Sequence, residues 1–158
     1  MRIVIIGRSG SGKSTLSKKI AEITHYPLLH LDSIWHTTDY SNHAKDWFSE
    51  YQKEFMQQDN WIIDGNYGGT FSNRLPQADV IIWLKINKYK AVYRVIKRSL
   101  DYHMDQNNRS EMPQQFSEHF DHDYWDFLKF VYSYDDKNTA KLINKYKSTN
   151  SKLVILKK

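Results

Sequence analysis

Short apolar runs recur along this chain and alternate with longer polar stretches of helical period. The runs are Arg2-Ile3-Val4-Ile5-Ile6, Leu28-Leu29-His30-Leu31-Asp32, Trp61-Ile62-Ile63-Asp64, Val80-Ile81-Ile82-Trp83-Leu84 and Leu153-Val154-Ile155-Leu156. Short, nearly continuous apolar runs are what parallel strands covered on both faces require. Five strands are therefore expected at about residues 2–6, 28–32, 61–64, 80–85 and 153–156. Between them Leu16, Ile20 and Ile23 repeat at helical spacing, as do Trp47, Tyr51 and Phe55, and a third helical pattern runs from Lys88 to about Tyr102. Strands alternating with helices predict an α/β fold, a parallel sheet with helices on both sides. No internal repeat or Pro/Gly-rich linker divides residues 1–158, so one domain is expected.

Residues 103–124, HMDQNNRSEMPQQFSEHFDHDY, break this pattern, being polar and poor in aliphatics. Two readings are compatible with them. Residues 103–113 suit a mobile lid carrying Arg109. The remainder suits a helix packing through Phe116, Phe120, Tyr124 and Phe127, although the whole stretch could also be surface loop and helix.

Chemistry enters at the first strand-to-helix junction. Residues 7–14 read GRSGSGKS, which fits the phosphate-binding loop pattern G-x-x-x-x-G-K-[ST]. Gly7, Gly10 and Gly12 allow close backbone approach to a ligand. N–H groups of the stretch Gly7, Gly10, Ser11, Gly12, Lys13, Ser14 and Thr15 would converge on phosphate oxygens, aided by the positive end of the following helix. Lys13 would reach the β- and γ-phosphates, and the Ser14 hydroxyl would ligate Mg²⁺. The Thr15 side chain reads as a cap or packing group, and Arg8 and Ser9 as phosphate contacts or solvated residues. This pattern calls for a nucleoside triphosphate and Mg²⁺ as cofactor; ATP is the expected donor, although the motif itself does not distinguish ATP from GTP.

Composition narrows the class. The 158 residues are 40% hydrophobic and 15% aromatic, which argues against disorder, and no cysteine is present for disulfides or thiolate metal sites. No apolar stretch approaches a membrane span, and the N-terminal run leads into the glycine loop, so a soluble cytoplasmic protein is expected. The formal net charge of +5 raises nucleic-acid binding. However, Lys137, Lys141 and Lys145 follow helical spacing and read as the wet face of a helix, so direct DNA binding is not expected. His119 and His122 flank Asp121 without a further ligand and read as surface polarity. The five tryptophans, Trp35, Trp47, Trp61, Trp83 and Trp125, read as core and pocket walls.

Two acids, Asp32 and Asp64, fall at predicted strand ends, where ligands bind in such sheets. Each is a functional carboxylate or a cap. Together GRSGSGKST, LLHLDS, WIIDGNYGGTFSNR, QADVIIWL and RVIKR resemble the nucleoside-monophosphate-kinase branch of P-loop proteins, the adenylate- and shikimate-kinase-like group. More closely, GSGKST, LHLDSIWH, DGNYG and RVIKR resemble the bacterial topology modulation protein family. That resemblance implies a three-layer fold with a five-stranded sheet in the order 2-3-1-4-5 and a lid. It implies Asp64 holding Mg²⁺ through water, Arg94 stacking on the adenine, and Arg98 on phosphate. DGNYG lacks the proline and arginine that adenylate kinases carry there. Arg74 could supply the missing cation to the acceptor, or pair with a surface acid.

The first functional reading is thus an ATP-dependent kinase acting on a small molecule or nucleotide. Lys13 and Arg98 would stabilise charge, and Asp32 would orient or deprotonate an acceptor hydroxyl. If the acceptor were itself a phosphate, Asp32 would only position it. A nucleotide-dependent regulatory protein affecting DNA topology, and a simple NTPase, are the alternatives.

Overall fold

A computed structural model describes residues 1–104 and 121–158; the expected lid (103–113, with Arg109) falls almost wholly outside them, as do Phe116, His119 and Phe120. The five apolar runs form five strands: β1 (Arg2–Gly7), β2 (Leu28–His30), β3 (Trp61–Asp64), β4 (Val80–Lys85) and β5 (Lys152–Lys157). All neighbours pair in parallel in the order β2-β3-β1-β4-β5, as the resemblance implied. The helices are α1 (Lys13–Thr24), α2 (Leu31–Trp35), α3 (Asn42–Phe55), α4 (Phe71–Arg74), α5 (Lys88–Met104), α6 (His122–Ser133) and α7 (Asp136–Tyr146).

Alternation along β1 explains the layering. Val4 and Ile6 join Trp61, Ile63, Trp83, Phe48 and Ile143 in one buried cluster, under α3, α4 and α7. Ile3 and Ile5 join Ile62 and Leu84 in another, against Leu16 and Ile20 of α1. Successive side chains point to opposite faces, so a strand with two buried faces must be apolar throughout. Tyr124, Leu128 and Val131 of α6 make a third cluster with Ala91 and Val95 of α5.

Two expectations are corrected. The second run is strand only to His30; Leu31–Trp35 turns into α2, so Asp32 sits in a helical first turn rather than at a strand end. The switch occurs where β2, an edge strand, ends its pairing with β3 at Asp64. Trp47 and Trp125 are 44% and 57% exposed, so they are neither core nor pocket wall. Lys137, Lys141 and Lys145 do lie on the exposed side of α7.

Candidate active site

The glycine loop joins β1 to α1, and its shape follows from two close approaches. Gly10 has φ +82°, and a Cβ there would stand 2.7 Å from the Ala91 carbonyl oxygen, so the loop packs on α5 through bare backbone. Gly65, after β3, has φ +137°, and a Cβ there would meet Leu31 Cβ at 2.8 Å. That contact sets the Gly65–Tyr67 turn directly against the start of α2.

How the helices begin decides where an anion can bind. Ser41, Asp121 and Asp135 cap α3, α6 and α7 with side-chain oxygens. By contrast α1 starts at Gly12 in a left-handed conformation, with no side-chain cap and no acid in its first turn. Its orphan N–H groups and positive dipole end are therefore left for a ligand. They open into a cleft of about 1330 Å³, above the ~300–1,000 Å³ usual for one small ligand. Gly10, Gly12, Lys13, Ser14, Thr15, Arg94 and Arg98 all line it.

Lys13 is folded back, its Nζ donating to the carbonyl oxygens of Gly7 (2.8 Å) and Arg8 (3.3 Å). Burial lowers its pKa; the charges of Asp32 and Asp64 oppose this and Arg98 adds to it. Those three groups therefore lie within electrostatic reach of the Lys13 ammonium. Arg94 Nη1 reaches the Gly10 carbonyl at 3.5 Å, at the loop itself.

Asp64 is buried. Its Oδ2 accepts the Ser17 hydroxyl proton and lies 2.8 Å from His30 Nδ1. Register explains the His30 contact, since His30 pairs with Asp64 across β2–β3, while Ser17 reaches the same carboxylate from α1. Asp32 is exposed on the cleft wall, and its Oδ1 accepts the Tyr67 O–H at 2.5 Å. Burial, then the Asp32 charge, raises the pKa of Tyr67, which keeps its proton and remains a donor.

Several predicted residues are placed elsewhere. Arg74 is fully buried and does not line the cleft. Its Nη2 donates to the carbonyls of Gly65 (3.1 Å) and Asn66, and its Nη1 to Thr70 Oγ1 (2.6 Å) and Gln52 Oε1 (3.3 Å). The guanidinium also stacks on Phe71 at 4.8 Å. Desolvation lowers its pKa. In this structure its guanidinium thus faces neither the cleft nor a surface acid; it holds the turn that presents Tyr67. Ser11 is buried, and its amide donates to the Arg8 carbonyl at 3.1 Å. Arg8 points away from the cleft, donating to the Tyr134 carbonyl at 2.8 Å beside Asp136.

No family model matches the chain. The cytidylate kinase of Thermoplasma volcanium is 28% identical over 114 residues, covering 62% of this chain and 60% of that protein. The cytidylate kinase of Thermoplasma acidophilum is 34% identical over 88 residues, covering 46% and 47%. The chain thus spans about half to three fifths of the curated relatives it matches. A solved shikimate kinase from Acinetobacter baumannii in complex with shikimate superposes with a TM-score of 0.57 at 14% identity, covering 99% of this chain and 83% of that one. The fold is that of a P-loop kinase.

Within that fold, Tyr40 and Tyr67 are the cleft residues missed by sequence reasoning, and they gather on Trp35, which lines the cleft as expected. Trp35, Tyr40 and Tyr67 pack ring against ring, with Trp35 to Tyr40 at 5.6 Å and Trp35 to Tyr67 at 6.2 Å. Tyr67 carries φ +43°, a conformation costly for a side chain of that size. Nothing in DGNYG marks its tyrosine as the partner of Asp32, because the two meet only when Leu31 packs on Gly65. Among the described residues no helix is long and apolar enough to cross a membrane.

Proposed function

We propose that this protein is an ATP- and Mg²⁺-dependent phosphotransferase that carries the γ-phosphoryl group to a small-molecule or nucleotide acceptor. One observation supports this above others. The uncapped start of α1, with Lys13, Arg94 and Arg98, shares a single cleft with Asp32 on α2. Beside Asp32 the rings of Trp35, Tyr40 and Tyr67 line the cleft, a surface that water as the acceptor would not need. The kinase relatives and the kinase fold point the same way.

Phosphoryl transfer asks mainly for positioning and charge stabilisation. The N–H groups of Gly12, Lys13, Ser14 and Thr15 would orient the donor phosphates, and Lys13 would leave the Gly7 and Arg8 carbonyls for the β/γ oxygens. Arg98 would neutralise charge building on the transferring group, while Arg94, beside the Gly10 carbonyl, would stack on the base. Ser14 on the cleft and Asp64 behind it offer oxygens suited to a hard cation, which Mg²⁺ sites take from few protein groups. Both contacts of Asp64 fall on Oδ2, which leaves Oδ1 to accept from an ion's water. When bound, Mg²⁺ supplies charge neutralisation of the phosphates. His30 and Ser17 keep the Asp64 carboxylate in place, and Asp32 would orient the acceptor.

The test is a thermal-shift titration followed by a transfer screen. A ligand at about 100 Kd stabilises the native state by ~2.7 kcal/mol. For a chain of this size that is roughly 5–11 °C in Tm. Purified protein with Mg·ATP should show this rise, and a panel of nucleosides, nucleotides and small alcohols should give one product heavier by a phosphoryl group. No rise with Mg·ATP overturns the reading. A rise with hydrolysis indifferent to every acceptor favours a simple NTPase.

A further inference from the structure

We propose that the acceptor is a phosphate-free, ring-bearing alcohol of the nucleoside type, bound against the ring cluster of Trp35, Tyr40 and Tyr67 with its hydroxyl on Asp32. This rests on the kinase reading and names its acceptor.

The cations lining the described cleft are sorted to one side. Lys13 and Lys18 belong to α1, and Arg94 and Arg98 to α5, which frame the glycine loop and hence the donor phosphates. Around Asp32, the segments 32–40 and 66–71 line the cleft with His36, Asn66 and aromatic rings and contribute no lysine or arginine to it. The arginine of the DGNYGGTFSNR segment does not reach this part of the cleft. Arg74 is fully buried and spends its donors on Gly65, Asn66, Thr70 and Gln52. A phosphorylated acceptor placed there would set its anion against the Asp32 carboxylate, whereas a neutral heterocycle finds ring faces and edges that favour stacking.

Asp32 is prepared for a hydroxyl. Tyr67 donates to its Oδ1 at 2.5 Å, which fixes the carboxylate and leaves Oδ2 to accept a second O–H. The Tyr67 pKa is raised, so the phenol remains a donor rather than competing as a base. In the transfer, the acceptor oxygen forms a bond to the γ-phosphorus as the bond from that phosphorus to the β,γ-bridging oxygen breaks. ADP departs, and the hydroxyl proton passes to Asp32 and on to water. Atoms and charge balance as ATP plus alcohol giving ADP, phosphate ester and a proton.

The experiment compares matched pairs, each nucleoside with its own 5′-monophosphate, on the full-length protein with Mg·ATP. ADP release is followed and products are identified by mass. At least one nucleoside should exceed its monophosphate in kcat/KM by tenfold or more. Asp32→Asn should abolish that transfer while keeping the Mg·ATP rise in Tm. Tyr67→Phe, a change in a positioning residue, should lower kcat by about tenfold and leave the KM for ATP unchanged. Preference for the monophosphate overturns the inference. So does transfer to neither member of any pair when Mg·ATP still raises Tm, which leaves the donor site standing. Absence of any Mg·ATP shift overturns the kinase reading and the acceptor assignment with it.

Discussion

Replacing Arg74 separates two roles that a sequence alone leaves open. Arg74→Met keeps most of the side-chain length and volume but removes every donor of the guanidinium. The carbonyls of Gly65 and Asn66 then lose a buried partner, as do Thr70 Oγ1 and Gln52 Oε1. A buried acceptor left unmade costs about 1–3 kcal/mol, so the two carbonyls alone amount to roughly 2–6 kcal/mol. Relief from burying a cation offsets part of this, since desolvation weighs on the charged form of Arg74. A net loss of about 2–4 kcal/mol is expected. That corresponds to roughly 4–16 °C in Tm for a chain of this length. Urea denaturation should show the same loss in midpoint, with Arg74→Lys falling between the two because its ammonium satisfies fewer acceptors. Equilibrium unfolding by circular dichroism is the assay. If Arg74→Met melts within a degree of the parent and only the acceptor KM rises, Arg74 is a substrate ligand and the structural account is refuted.

The remaining expectations concern the cleft. Lys13→Ala should lower transfer by at least about 10²-fold, the usual cost of one donor aimed at developing charge, with an unchanged circular dichroism spectrum; full turnover would remove Lys13 from the mechanism. Asp64→Asn should raise the Mg²⁺ concentration giving half-maximal activity, whereas Asp32→Asn should leave that concentration alone and impair acceptor use; equal metal dependence in both variants would defeat the assignment. Duplex DNA should bind only non-specifically, with Kd about 10⁻⁴–10⁻⁶ M at physiological salt and a steep salt dependence; a fluorescence-anisotropy titration showing tight, salt-resistant binding would restore the regulatory alternative.

What the sequence made legible follows local rules, and what it hid depends on contacts between distant segments. Strand placement was readable because Ile3 to Ile6 and Trp61 to Ile63 must be apolar on both faces, a demand written in consecutive residues. The glycine loop was readable because its chemistry needs fixed spacings. Leu31 and Asp32 were misassigned to β2 because an apolar residue can end an edge strand or start a helix equally well; the pairing of His30 with Asp64 decides it. Arg74 was hidden for a different reason. A charged residue is ordinarily expected at the surface, and its burial makes sense only once two carbonyls, a threonine and Gln52 of α3 surround it.

The same logic links the two misread residues to the proposed chemistry. Gly65 admits Leu31, which brings α2 against the turn after β3. Arg74 grips the carbonyls of that turn from beneath, and Tyr67, held at positive φ, reaches Asp32 from its far end. The arginine of this segment is thus held inside the fold, and the charged group that the neighbouring α2 brings to the cleft is the Asp32 carboxylate. On the proposed reading, acceptor chemistry turns on whether the arginine after β3 faces the cleft or the core. Relatives that conserve the P-loop but differ at that position should differ in whether they accept a phosphate or an alcohol.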